Sequence, residues 1–84
     1  MIKTFRCKDT QALFEGRTPR RFKAFCAIAE RKLQMLDSAI SLEDLKSPPG
    51  NRRGQWSIRI NDQWRVCFRF EEGEVLDVEI VDYH

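Results

Sequence analysis

The fold is decided by residues 55–80, QWSIRINDQWRVCFRFEEGEVLDVEI, in which apolar and polar side chains alternate. This alternation is typical of β-strands that bury one face of a sheet. Turn-forming residues interrupt it at positions 61–63 and 71–73 and so divide the stretch into three strands. The predicted buried positions are Trp56, Ile58, Ile60, Trp64, Val66, Phe68, Phe70, Leu76, Val78 and Ile80. Because short turns require antiparallel neighbours, we predict an antiparallel meander with one apolar face.

Helices predicted upstream of this sheet are the elements that can cover its apolar face. The longer helix is predicted over residues 20–37. Its apolar stripe at helical spacing consists of Phe22, Phe25, Cys26, Ala29, Leu33, Leu36 and Ile40. A shorter helix is predicted around residues 12–14, with Asp9 or Thr10 as its N-cap and Gly16 just beyond its C-terminus.

The remaining segments complete one predicted domain over residues 1–84. Residues 2–6 alternate and predict a short first strand, and residues 41–45 predict one helical turn. The stretch SPPGNRRG at 47–54 predicts the main loop, because its prolines and glycines oppose regular structure. The predicted fold is therefore α+β, with the order β-α-α-β-β-β and both helices packed on one face of the antiparallel sheet.

Composition favours a soluble cytoplasmic protein. Of the 84 residues, 42% are hydrophobic and 33% are charged, which is ordinary for a globular domain. No apolar run approaches the ~18 residues that span a bilayer, and the first residues lack the apolar core of a signal peptide. The three cysteines, Cys7, Cys26 and Cys67, lie far apart and form no C-x-x-C pair, and the single histidine, His84, is the last residue. We therefore predict reduced thiols, no metal site and no cofactor.

Charge is distributed unevenly along the chain. Residues 1–53 carry twelve Lys or Arg and six Asp or Glu, a net charge of +6. Residues 54–84 carry three Lys or Arg and seven Asp or Glu, a net charge of −4. A basic half is compatible with a nucleic-acid partner, and it is equally compatible with a solvated helix surface.

The polar face of the predicted sheet carries three arginines, Arg59, Arg65 and Arg69. An arginine side chain presents a rigid fork of donors that fits phosphate, so we predict that this face binds an RNA backbone. Three loop residues are predicted to add to its positive field: Lys46, Arg52 and Arg53. The alternative is that these arginines pair across the strands with Asp77 and Glu79, which also stabilises a sheet.

The last three residues, Asp82, Tyr83 and His84, bring together a carboxylate, a phenol and an imidazole. Their intrinsic pKa values differ widely, which suits general acid–base chemistry. Metal-free RNA cleavage requires activation of a 2′-hydroxyl and protonation of the leaving 5′-oxygen, and histidine suits proton transfer near neutral pH. The alternative is a frayed chain end, where polar residues are common and have no role.

Several segments together resemble HigB-type toxins of the RelE superfamily, also known as the plasmid-maintenance killer-protein family. They are MIKTF at 1–5, LFEG at 13–16, AERKL at 29–33, SPPGNR at 47–52, GQWSIRINDQWR at 54–65 and DVEIVDYH at 77–84. The likeness covers essentially the whole chain, and the last two segments are the most specific. It implies a compact RelE-like fold.

The resemblance also implies a function. Such toxins belong to type II toxin–antitoxin modules, enter the ribosomal A site and cut mRNA during translation without metal. Their partner is a HigA-type antitoxin with a helix-turn-helix domain, through which the complex binds its operator DNA. Carried over to this chain, the family's catalytic residues correspond to Asp82, Tyr83, His84 and Arg65, and its transcript-contacting residues correspond to Arg59 and Arg65.

The chain departs from the family pattern in one loop. Family members carry several more residues between the PPGNR segment and GQWS, and these residues supply a lysine or histidine that helps to bind or cleave the transcript. Here Arg52 is followed directly by Arg53 and Gly54.

From the resemblance as a whole we predict a ribosome-dependent endoribonuclease. The alternatives are a weakly active or inactive homologue that binds the antitoxin as a co-repressor, and a free-standing nuclease that cuts naked RNA.

Overall fold

Four antiparallel strands form one sheet in chain order in the computed structural model, which describes residues 1–39, 50–52 and 55–82, with side chains for 1–39 and 55–82. The strands are β1, Gly50–Arg52, β2, Gln55–Arg59, β3, Trp64–Glu71, and β4, Glu74–Asp82. Helix α1 spans Lys8–Phe14, a 3₁₀ helix spans Arg20–Phe25, and helix α2 spans Cys26–Ser38. The α+β class predicted from the sequence is confirmed.

The helices and the sheet enclose a single apolar core. Its most deeply buried members on the helical side are Leu13, Phe22, Ala29, Leu33 and Leu36, and on the sheet side Ile58, Val66, Phe68, Val75, Val78 and Ile80. Trp64 packs edge-on against Phe22, with 5.8 Å between ring centroids, and also contacts Phe25 at 5.1 Å. The predicted cover of one sheet face by the helices is therefore present.

Strand β1 was not expected, because its residues fall within the predicted loop at 47–54. It pairs with β2 through Gly50–Ser57, Asn51–Trp56 and Arg52–Gln55. Without this short strand the outer edge of β2 would expose unpaired backbone groups. The predicted helical turn at 41–45 and the remainder of the loop lie outside the described residues.

The predicted first strand at residues 2–6 is wrong as a continuous element. Ile2 and Phe5 instead form two separate parallel bridges to β4, opposite Val75 and Val78. Between the bridges, the N–H of Asp77 donates to the Thr4 hydroxyl at 2.8 Å rather than to a backbone carbonyl. This side-chain bond replaces the ladder bond that a regular strand would make.

A bulge in β4 explains a second correction. Asp77 has a φ of +53°, and the β3–β4 register shifts by one residue between Cys67–Glu79 and Arg69–Leu76. Extra residues of this kind reverse the in–out alternation of a strand. Val75 is therefore fully buried, whereas Leu76, which we predicted in the core, is half-buried opposite Arg69.

The long predicted helix at 20–37 is divided in two. Its first part is the 3₁₀ helix, and Phe25 interrupts the helical backbone with φ −132° and ψ +20° before α2 begins. Side chains three residues apart eclipse in a 3₁₀ helix. Phe22 and Phe25 therefore project together onto Trp64, with their own ring centroids 5.7 Å apart.

The predicted ends of α1 have opposite outcomes. Gly16 follows the helix with a φ of +96°, and its N–H donates to the Leu13 carbonyl at 3.1 Å, as expected of a C-terminal glycine. The predicted N-cap is wrong, because Cys7 occupies that position without a side-chain cap bond. Thr10 lies inside the helix, fully buried, where its hydroxyl accepts the N–H of Ile80 at 3.0 Å.

Within the described part of the chain, none of the helices has the length and apolar character needed to cross a bilayer. All three cysteines are free, and Cys67 is buried.

Candidate functional site

Two rows of side chains cross the sheet on the face turned away from the helices. The strand register places Ser57, Cys67 and Glu79 in one row, and Arg59, Arg65 and Val81 in the next. Arg59 and Arg65 are thus direct cross-strand partners. The sheet brings these two predicted RNA-binding residues together.

Arg59 is the more exposed of the pair, with 61% of its side chain accessible. Its Nε donates to the Asn61 carbonyl at 3.2 Å, and its guanidinium also pairs with the carboxylate of Asp62. The Asp62 side chain is almost entirely exposed, at 94%. Since exposed ion pairs contribute about 0–1 kcal/mol, this one is easily exchanged for a phosphate.

Arg65 lies deeper in the sheet face and is half-buried. Its Nη1 donates to the Ser57 hydroxyl at 3.4 Å, which directs the guanidinium along the face toward β2. Next to it, burial raises the pKa of the Cys67 thiol, and the charge of Glu79 raises it further, whereas Arg65 lowers it. Cys67 is therefore a neutral packing residue at pH 7 and not a nucleophile.

Arg69 has a different environment from the other two arginines. Its Nη1 donates to Asp77 at 3.2 Å, and its Nη2 pairs with Glu71. The hydrogen bond that Arg69 donates to Asp77, followed by the one it donates to Glu71, raises the pKa of Arg69. For Arg69 the cross-strand pairing that we gave as an alternative is thus present. The predicted partner Glu79 instead faces Arg6, at 3.9 Å.

Asp82 lies at the end of β4, where its backbone pairs with that of Trp64. It follows Val81, the cross-strand partner of Arg65, so it adjoins the arginine row at the end of the sheet. By strand alternation, its side chain leaves the sheet on the side of Trp64 rather than on the arginine face. The Gln63 amide Nε2 donates to Asp82 Oδ2 at 3.0 Å.

The other predicted site residues lie wholly or partly outside the described part of the structure. Tyr83, His84, Lys46 and Arg53 lie outside the described residues. The backbone of Arg52 pairs with Gln55 at the edge of the sheet. The predicted participation of these residues in a site stays a prediction.

Two polar residues close to Trp64, the cross-strand partner of Asp82, were not predicted as part of a site. The Arg21 guanidinium lies 4.8 Å from the Phe22 ring centroid and 5.8 Å from that of Trp64, and it is 3.6 Å from Asp9. The other is Gln63, which we assigned only to a turn. No signal in the sequence pointed to Gln63, because the bulge in β4 shifts the register so that Trp64, and not position 63, lies opposite Asp82.

Comparison with known proteins gives a consistent result. The family model described as the RelE-like toxin of the type II toxin–antitoxin system HigB matches residues 3–84. The chain is similar to Endoribonuclease HigB of Proteus vulgaris, with 34% identity over 92 residues that cover all of both chains. It is also similar to Toxin HigB-1 of Vibrio cholerae, with 42% identity over 55 residues, 56% of this chain and 58% of the relative.

The alignment with the Proteus vulgaris protein is longer than this chain. It spans 92 residues against the 84 present here. At least eight positions of that relative therefore have no counterpart in this chain.

Proposed function

The chain belongs to the HigB family of RelE-like toxins of type II toxin–antitoxin systems, and from this premise we propose that it is an endoribonuclease that cuts mRNA on the ribosome and arrests growth. One structural observation supports this proposal most directly. Arg59 and Arg65 are cross-strand partners on a sheet face that the helices leave uncovered, and the adjoining end of the sheet carries Asp82, so a transcript that passes over this end would meet both.

The two arginines are suited to hold the phosphate of the scissile bond. Guanidinium groups donate two parallel hydrogen bonds to phosphate oxygens, which fixes orientation as well as position. Their positive charge also stabilises the additional negative charge that develops on the phosphorus oxygens in the transition state. Arg52, Arg53 and Lys46 extend the positive field around them in this proposal, whereas Arg69, whose charge Asp77 and Glu71 compensate, adds little to it.

Cleavage then proceeds by attack of the neighbouring 2′-oxygen on phosphorus. Asp82 accepts the proton of the 2′-hydroxyl or orients the group that does, and the new bond closes a 2′,3′-cyclic phosphate. The bond from phosphorus to the 5′-oxygen breaks, and His84 donates a proton to that oxygen. Tyr83 stacks on a base or donates to the phosphate. Side chains carry out both proton transfers, and the arginines stabilise the charge on the phosphate, so the proposal requires no metal.

The ribosome supplies what so small a domain lacks. A chain of 84 residues offers little surface for gripping RNA, and positioning contributes much of the rate of such reactions. We propose that the ribosomal A site holds the transcript while the toxin contributes the arginines and the acid–base groups. Cutting of naked RNA is correspondingly slow.

The family membership means that the chain has an antitoxin partner. We propose that this partner is a HigA-type protein with a helix-turn-helix domain, that the complex reaches operator DNA through it, and that the toxin acts in the cytoplasm as one RelE-like domain. The described elements support the RelE-like assignment through their two helices on one face of an antiparallel sheet.

Induced expression in a bacterium followed by primer extension on a translated message tests the proposal. We expect cuts while the message is translated and none when initiation is blocked. Asp82→Ala should remove the cuts and relieve growth arrest, whereas Glu30→Ala, at an exposed carboxylate on α2, should not. Cuts that persist unchanged in folded Asp82→Ala would show that the assigned site is wrong.

The shorter length relative to the Proteus vulgaris protein favours a second candidate function. If the missing positions fall between Arg52 and Gly54, this chain lacks the lysine or histidine that the family uses there. Such a protein would bind antitoxin and act as a co-repressor without cutting RNA. Insertion of the Proteus vulgaris segment at this point should then create toxicity. Toxicity of the unmodified chain would rule the candidate out.

A further inference from the structure

A residue of the turn between β2 and β3 forms a hydrogen bond with the proposed catalytic carboxylate of Asp82. Gln63 Nε2 donates to Oδ2 of Asp82 at 3.0 Å, and both side chains lie at the exposed end of the sheet. We propose that Gln63 is a positioning residue that fixes the direction of the Asp82 carboxylate during RNA cleavage. This inference rests on the proposed function, because it assigns a role through Asp82.

The backbone of Gln63 is held in place by its neighbours. The Asn61 side-chain oxygen accepts the N–H of Gln63 and the N–H of Trp64, each at 2.8 Å. The N–H of Ile60 donates to the Trp64 carbonyl at 2.9 Å and closes the turn. An amide attached to so constrained a turn offers its hydrogen bond from a fixed position.

Trp64 anchors the same turn to the core. Its ring packs against Phe22 and Phe25, and its backbone is the cross-strand partner of Asp82. Trp64 therefore connects both Asp82 and Gln63 to the packed aromatic rings, Asp82 through the strand pairing and Gln63 through the turn. These contacts all lie among the described residues.

Fixing the carboxylate matters because its last torsion is soft. The χ2 angle of aspartate has broad minima, so a carboxylate at an exposed strand end samples many directions. A hydrogen bond to one oxygen narrows this range and thereby sets the direction of the other oxygen. Small misplacements of a reacting group cost up to about 100-fold in rate.

Single-turnover cleavage on programmed ribosomes tests this role. We expect Gln63→Ala to lower the cleavage rate constant about tenfold, within the range for a misplaced group. The toxin concentration at half-maximal rate should change little, because Gln63 does not hold the phosphate. Gln63→Met keeps the approximate size, removes the donor and adds no charge, so it should behave like Gln63→Ala. Gln34→Ala, at an exposed glutamine on α2, is the matched control.

A double-mutant comparison distinguishes positioning from a general structural effect. In an Asp82→Ala background, Gln63→Ala should cause no further loss of the residual rate, measured over long incubations with excess toxin, since no carboxylate remains to be oriented. The melting temperature of Gln63→Ala should match that of Gln34→Ala. If Gln63→Ala is unstable, Gln63→Met serves in its place.

The outcomes separate the inference from its premise. A wild-type rate for Gln63→Ala, with cleavage strongly slowed by Asp82→Ala, would overturn the positioning role and leave the proposed function intact. Equal losses from Gln63→Ala in both backgrounds would also overturn it, because Gln63 would then act independently of Asp82. A wild-type rate for Asp82→Ala would overturn the inference together with the assigned site.

Discussion

The arginines on the uncovered sheet face differ in how closely carboxylates surround their side chains. Arg69 is enclosed by Asp77 and Glu71, whereas Arg59 pairs with Asp62, a carboxylate that is 94% exposed. A phosphate approaching Arg69 must compete with two carboxylates that are already in place. The sequence predicted all three arginines as equivalent, because strand alternation reports the face of a residue and not its ion pairs.

This difference predicts unequal effects of alanine substitution. We expect Arg59→Ala to weaken binding to ribosome-bound mRNA about tenfold, which corresponds to the ~1.4 kcal/mol of one charge-assisted contact. Arg69→Ala should weaken it far less and serves as the charge-matched comparison. Equilibrium binding of labelled toxin to programmed ribosomes at fixed salt measures both. Equal losses would show that compensation by Asp77 and Glu71 does not matter.

Thr10 satisfies a buried backbone donor that the sheet leaves unpaired. Thr10→Val keeps the shape of the side chain and removes the acceptor for the Ile80 N–H. We expect the free energy of unfolding to fall by about 1–3 kcal/mol, the cost of a buried donor without a partner. Urea denaturation measures this loss. Thr10→Ser retains the hydroxyl and should lose about 1 kcal/mol for one methyl group, and a Thr10→Val protein as stable as wild type would contradict the argument.

At the scale of elements, the chain reverses direction between β3 and β4 at two residues with positive φ. Glu72 has a φ of +50° and Gly73 of +81°, the conformation of a two-residue turn that suits the twist of the strands. Glycine adopts it without cost, but a glutamate side chain is strained there. The turn itself was predicted at 71–73, although its type was not.

Replacing the strained residue should stabilise the hairpin. Asparagine tolerates positive φ, so we expect Glu72→Asn to raise the free energy of unfolding by about 0.5–1 kcal/mol. Thermal and urea denaturation measure the gain. Glu72→Gln removes the same charge without the backbone tolerance and should leave stability nearly unchanged. A similar gain from Glu72→Gln would mean that charge, and not backbone strain, limits the turn.

Alternation predicted the strands well because each has one buried face, and it failed where a strand gains a residue. Trp56, Ile58, Val66 and Phe68 are placed as the pattern requires, yet Leu76 is not. At the bulge, Asp77 contacts Thr4, which is 73 residues away in sequence, and Arg69 on the neighbouring strand. Periodicity within one strand cannot reveal such contacts.

At the scale of the whole molecule, the core is a thin layer between the helices and one sheet, so stability is expected to be modest. The candidate site is only partly predictable for a related reason. The arginine row follows from strand register, and Asp82 follows from its position in a family-like segment. Gln63 and Arg21 enter through turn geometry and aromatic packing, which composition does not report.

A marginal toxin should be stabilised by its antitoxin. A ligand that binds only the folded state at 100 times its Kd adds about 2.7 kcal/mol. For a domain of this size we expect the melting temperature to rise by roughly 10 °C or more. Differential scanning calorimetry of the toxin with increasing antitoxin measures the shift. A melting temperature independent of antitoxin concentration would contradict the expected partnership.

The attachment of residues 1–6 to β4 has a consequence for the time course of folding. The contacts of Lys3 with Val75 and of Arg6 with Val78 close a loop of more than 70 residues, whereas the turns of the meander close within a few residues. Long closures are entropically costly and slow. We therefore expect the meander to assemble early. The N-terminal segment should dock late, against the edge of an already formed sheet.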